Sequence, residues 1–156
     1  MSIADTQNDN NKDSSKIQKA KFGIAWSDNY SIGHELVDSQ HKRLFEMVSA
    51  LVESCMDGRD SEMVKETLGF LADYTVRHFS EEEALQLKYD YPEYDKHKQM
   101  HEDFKVTVGD LIQDYIKNSS TTELSNNVNK IVVKWLVQHI LNEDKKIGTH
   151  IQKTLP

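Results

Sequence analysis

The chain has 156 residues, 37% of them hydrophobic and 29% charged, with a formal net charge of −7. That length gives one domain with a real core, and the negative balance excludes the basic footprint expected for nucleic acid or an anionic membrane surface. A single cysteine, Cys55, excludes an intrachain disulfide framework and fits a reducing compartment, and no apolar run approaches the ~20 residues of a membrane span.

Residues 1–21 are mostly Asn, Asp, Ser and Lys. Such a segment cannot bury enough surface to offset its ordering entropy, so a disordered tail is expected. It also lacks the apolar centre of a signal peptide, which predicts a cytoplasmic protein. Residues 22–156 form the predicted domain. Its first stretch, Phe22 to Gly33, has aromatic residues without a clean period and reads as an extended arm anchored by Phe22, Trp26 and Tyr30.

Four helical stretches follow. Val37, His41, Leu44, Phe45, Val48, Leu51, Val52 and Cys55 make a continuous i, i+3, i+4, i+7 stripe, with Gly58 as its stop. Cys55 on that stripe reads as a small core residue rather than a nucleophile. Val64, Leu68, Leu71, Thr75, His78, Phe79, Glu82 and Leu85 repeat the pattern. Tyr94, His97, His101, Phe104, Val108, Leu111 and Tyr115 give a near-heptad seam, with Pro92 suited to its first turn and Asn118 to its end. Leu124, Val128, Ile131, Val132, Trp135 and His139 form the last stripe, opened by a capping-box match at Ser120 to Glu123. No alternation of the strand type is sustained. Short linkers make sequential helices antiparallel neighbours, so the predicted fold is all-α, an up-down-up-down four-helix bundle.

Five of the seven histidines and two acids stand out: His41, His78, Glu82, His97, His101, His139 and Asp144. His78/Glu82 and His97/His101 are i, i+4 pairs, which point the same way from neighbouring turns. The ligand-type residues share the apolar stripes, where an ionised Glu is costly unless paired or bound to a metal. One histidine on an apolar stripe is ordinarily a hydrogen-bonded core residue; polar groups on four facing stripes call for a common partner. Imidazoles suit iron, zinc, copper and nickel, while carboxylates favour iron or manganese. Seven ligands exceed one tetrahedral zinc. Two metals sharing bridging carboxylates fit the count, with three histidines on one and two on the other. The second then keeps an open position for a diatomic ligand. Other chemistries fail: His34-Glu35 is followed by Asp38 where a HExxH helix needs histidine, the Glu-x-x-His of ferritin-like proteins is missing, and no phosphate-binding glycine motif occurs. His34 and His150 lie off the stripes and read as surface or arm residues.

The pieces Val37-Asp38-Ser39-Gln40-His41-Lys42, His78-Phe79-Ser80-Glu81-Glu82, His97-Lys98-Gln99-Met100-His101 and Trp135-Leu136-Val137-Gln138-His139-Ile140 with Asp144 resemble the hemerythrin family, above all its bacterial single-domain members. The resemblance runs from about Trp26 to Ile147. It implies two non-haem iron ions joined by an oxo or hydroxo bridge, with dioxygen as a reversibly bound ligand. One iron would take His97, His101 and His139, the other His41 and His78, with Glu82 and Asp144 bridging. Leu136 would line the oxygen pocket. The implied role is carriage, storage or delivery of dioxygen by a monomer, with an oxygen-using enzyme as recipient; the alternative is an oxygen, redox or nitric-oxide sensor or scavenger at the same site. An enzyme is not expected, because no dedicated general acid or substrate pocket is evident. One spacing is irregular. His139 to Asp144 is i, i+5, about 140° apart on a regular helix, and plain spacing would select Glu143. The family pattern selects Asp144, which predicts a widened π-type turn or a bend there.

Overall fold

The computed structural model describes residues 23–156; the expected tail and Phe22 lie outside the described residues. Three long helices form where the stripes predict them: α1 (Glu35–Met56), α2 (Ser61–Lys88) and α3 (Tyr94–Asn118). A fourth rod runs through residues 121–154. It comprises α4 (Thr121–Asn127), a π segment (Val128–Val133), α5 (Lys134–His139), a second π segment (Ile140–Asp144) and α6 (Lys145–Thr154). The described residues include no strand.

The helix ends follow local chemistry. The Asp60 side chain accepts from the Met63 amide at 2.9 Å and caps α2. Gly58, with φ of +66°, takes the left-handed turn that lets α1 stop after Met56. Pro92 stands two residues ahead of α3, in the preceding turn rather than inside its first turn. Ser120 caps the fourth rod by accepting from the Glu123 amide at 3.2 Å, but the reciprocal half of the expected box is missing. Glu123 instead accepts from the Asn118 side chain, and Asn118 accepts from the Ser120 amide.

The four rods pack in a ring: α1 on α2, α2 on α3, α3 on α4, and α4 back on α1. The connections are short, so neighbours run antiparallel. The core divides by depth. Leu51, Val52, Val64, Leu68, Leu111, Leu124 and Val128 fill one end. At about 1.5–3 kcal/mol for each fully buried large apolar side chain, this end supplies much of the favourable burial. Cys55 lies buried here, as expected of a core residue, and burial raises its thiol pKa. The other end holds the polar stripe residues.

The arm lies along α1. Trp26 and Tyr30 pack on Phe45 with ring centroids 5.7 and 5.1 Å away, and Ser49 Oγ donates to the Ile24 carbonyl at 3.1 Å. Asp38 receives the Ile32 amide at 2.8 Å. Beyond the predicted end of the fourth stripe at His139, the rod continues and folds over the turn between α2 and α3. There Ile147 and Ile151 pack with Tyr91. Gly148 lets the arm come close to the same rod: a Cβ at that position would sit 1.8 Å from the Ile32 carbonyl oxygen.

Candidate metal centre

All seven sequence-predicted polar residues converge at one end of the bundle, and all are buried. His41 comes from the start of α1 and His97 and His101 from the start of α3. His78 and Glu82 come from the second half of α2, and His139 and Asp144 from the second half of the fourth rod. Antiparallel packing brings those four places to one level.

Their atoms sort into two groups. His97, His101 and His139 turn their Nε2 atoms toward one another: His139 Nε2 lies 3.1 Å from His97 Nε2 and 3.2 Å from His101 Nε2. His41 and His78 form the second group, with ring centroids 4.8 Å apart. Each carboxylate divides its oxygens between the groups. Glu82 Oε1 lies 2.8 Å from His97 and 3.3 Å from His101, whereas Oε2 lies 3.3 Å from His78 and 3.7 Å from His41. Asp144 Oδ1 lies 3.1 Å from both His97 and His139, and its Oδ2 lies 3.1 Å from His41.

A cation fits this donor set. The Nδ1 of His101 lies 2.9 Å from Glu83 Oε1, an acceptor only, so the ring proton is held there and Nε2 presents a lone pair inward. His139 Nε2 lies at hydrogen-bond distance from two other ring nitrogens, and a single N–H or lone pair cannot serve both contacts. His41 Nε2, Glu82 Oε2 and Asp144 Oδ1 are buried without a well-aligned hydrogen bond. These donor atoms crowd shared points, an arrangement that a metal would satisfy once the imidazoles give up their protons.

The electrostatics agree. Burial lowers the proton affinity of His41 and His97, but the Asp144 and Glu82 carboxylates outweigh it and raise both pKa values to about 9. Burial raises the pKa of Glu82, and the surrounding imidazoles of His101, His41, His78 and His97 overcome it, holding the acid well below its ordinary value. Asp144 is also lowered: burial and the Glu82 charge push it up, and His139 and His41 more than compensate. Without a metal the two carboxylates are therefore paired with protonated His41 and His97.

The expected widened turn is present. Ile140–Asp144 is a π segment, and it brings Asp144 inward across the i, i+5 step. Glu143, the choice of plain spacing, faces outward and pairs with Lys146 at 3.5 Å. A second π segment, Val128–Val133, was not expected. Leu136 is buried and lines an enclosed apolar cavity with Leu44, Thr75 and Phe104. Each of these four stands three residues, about one turn, from His139, His41, His78 or His101. They form the apolar layer next to the site.

Sequence reasoning missed the residues that aim the ligands. Gln40 Oε1 lies 2.7 Å from His78 Nδ1, and the Gln40 amide donates in turn to Glu81. Glu83 holds His101. Phe79 stacks on His101 at 3.8 Å, and Trp135 stacks on His139 at 4.2 Å. The signal for Trp135 was available, four residues before His139 on one stripe. Gln40 and Glu83 sit beside their neighbours' ligands only after packing. His150, read as a surface or arm residue, is half-buried, and its Nε2 donates to the Tyr89 carbonyl at 2.7 Å. His34 is half-buried at the N-cap of α1.

The family model for the hemerythrin HHE cation-binding domain matches residues 32–151. The bacteriohemerythrin of Methylococcus capsulatus (strain ATCC 33009 / NCIMB 11132 / Bath) is 34% identical over 111 residues, covering 71% of this chain and 82% of that protein. That of Pseudomonas paraeruginosa (strain DSM 24068 / PA7) is 29% identical over 121 residues, covering 78% and 76%. A wild-type hemerythrin crystal structure superposes with a TM-score of 0.72 at 27% identity, covering 82% of this chain and 97% of the other. A match over that span, joined to relatives of similar length, establishes that the chain belongs to the hemerythrin family.

Proposed function

We infer that this protein binds dioxygen reversibly at a pair of non-haem irons and serves as a carrier, store or delivery agent rather than an enzyme. One observation carries the reading: two buried carboxylates each split their oxygens between a group of three imidazoles and a group of two. His97, His101 and His139 would hold one iron, His41 and His78 the other, and Glu82 and Asp144 would bridge, alongside an oxo or hydroxo bridge. The iron pair would supply the electrons that bind dioxygen and take them back on release.

The chain's own residues supply the rest. Gln40 and Glu83 fix the rings of His78 and His101 so that Nε2 faces inward. Phe79 and Trp135 clamp two rings by stacking. Leu136, Leu44, Phe104 and Thr75 exclude bulk water, and with it the proton supply that would promote loss of the ligand as peroxide. Binding rather than turnover is favoured because the side chains at the site are metal ligands or partners that hold those ligands, and none of them is a dedicated general acid. The test is spectroscopic. Anaerobically reduced, iron-loaded protein should gain a visible charge-transfer band in air and lose it on degassing. Irreversible bleaching accompanied by peroxide turnover would refute the carrier reading.

A further inference from the structure

Outside the metal centre, an open groove of about 370 Å³ lies where α6 crosses the turn between α2 and α3. Its wall carries Lys145, Lys146, Lys153 and His150, with Glu93 as the acid among its lining residues. The three lysines stand together on a chain whose net charge is −7. Lys146 is engaged by Glu93 and Glu143 at 3.8 and 3.5 Å. Lys145 and Lys153 have no carboxylate within ion-pair distance among the described residues. The floor is Tyr91, buried to 6% exposure, whose ring stands edge-on to the His97 ring with centroids 6.4 Å apart. The groove is thus separated from an imidazole of the metal centre by a single aromatic side chain.

We propose that this groove is the docking surface for an acidic one-electron redox protein, of the iron–sulfur or flavin class, that returns oxidised irons to the ferrous state. The inference rests on the di-iron reading above. Reversible oxygen binding requires ferrous iron, and a pair oxidised to the ferric state needs an outside donor to recover. Each transfer would oxidise the donor by one electron and reduce one ferric ion, so two transfers would restore the pair, with solvent supplying the charge-balancing protons. The groove suits a brief protein encounter better than a small-molecule pocket. It is open and rimmed by solvated charges, whereas small ligands favour enclosed, mostly apolar clefts. Exposed rim charges act chiefly by steering association, and weak redox encounters use small interfaces.

The test measures reduction of the ferric, iron-loaded full chain by two donors: a reduced acidic plant-type [2Fe–2S] ferredoxin and the small methyl viologen radical cation. Two acidic proteins repel overall, so salt would speed their encounter. If the groove governs docking, added salt slows the ferredoxin reaction of the wild-type chain. The double variant Lys145→Glu/Lys153→Glu should lose about tenfold or more in the ferredoxin rate at low salt and keep its viologen rate and iron content. A matched variant at the opposite end, Lys117→Glu/Lys130→Glu, should stay within about twofold of wild type. A ferredoxin rate that rises with salt in the wild type overturns the proposal, and so does an equal loss in the two double variants. Failure of both donors to change an iron spectrum would instead sink the di-iron reading itself.

Discussion

The side chains behind the ligands decide how well the imidazoles are aimed. Glu83 presents an anionic acceptor to His101, whereas Gln40 presents a neutral one to His78. Second-sphere partners of this kind typically contribute 10–100-fold in metal affinity. Glu83→Gln and Gln40→Leu should therefore each weaken iron retention by roughly 10–100-fold without unfolding the chain. The check is iron lost to a competing chelator, with circular dichroism as the folding control. His101→Ala should go further and abolish loading of two irons per chain. A variant that still takes up two irons would show that His101 is not a ligand.

At the scale of the element, the fourth rod departs most from regular geometry and positions the most critical acid. The π segment Ile140–Asp144 turns Asp144 toward His41, His97 and His139 and leaves Glu143 on Lys146. Asp144→Ala should eliminate stoichiometric iron loading, and Glu143→Ala should leave it intact; iron analysis of the two purified variants separates the assignments. The same rod carries Gly148 against the Ile32 carbonyl. Because the clash is with backbone, Gly148→Ala must displace the arm, and a loss of about 1–3 kcal/mol or more is expected from the denaturant midpoint. The three long helices were legible because their apolar residues repeat with the helical period and their ends carry local signals such as Gly58 and Asn118. Six members of the metal cluster were legible because they share those stripes, whereas Asp144 was reached through the family resemblance and not through plain spacing. The turn at 140–144 could be placed only because the family pattern selects Asp144, five residues after His139, where regular spacing would select Glu143. The turn at 128–133 gave no warning, since Val128, Ile131, Val132 and Val133 read as apolar in either register. Gln40 and Glu83 escaped notice because each contacts a ring on a different rod, and a pairing across rods leaves no spacing in a single chain.

For the whole molecule, proton linkage couples stability to iron. In the iron-free chain His41 and His97 hold protons to about pH 9, above their ordinary 6.5. Their contribution is fully present below pH 6.5 and fades as pH rises through about 9. Glu82 and Asp144 are lowered, so their contribution is present above their ordinary values of 4.5 and 3.8 and disappears as pH falls below them. Iron-free protein should therefore melt at its highest temperature between about pH 4.5 and 6.5 and lose stability on either side. Loading near neutrality must expel protons from His41 and His97, so iron uptake should strengthen with pH and acidify a weakly buffered solution.

The division of the interior into an oily end and a polar end has one more consequence. Leu51, Leu68, Leu111 and Leu124 have no part in ligation, so their packing survives whatever happens around Glu82. Hydrogen exchange after chelation should quicken around His41, His78, His97 and Asp144 and stay slow around those leucines. The protein would then behave like a clamp with a fixed base and loosened jaws, able to surrender its iron and take it up again without having to refold.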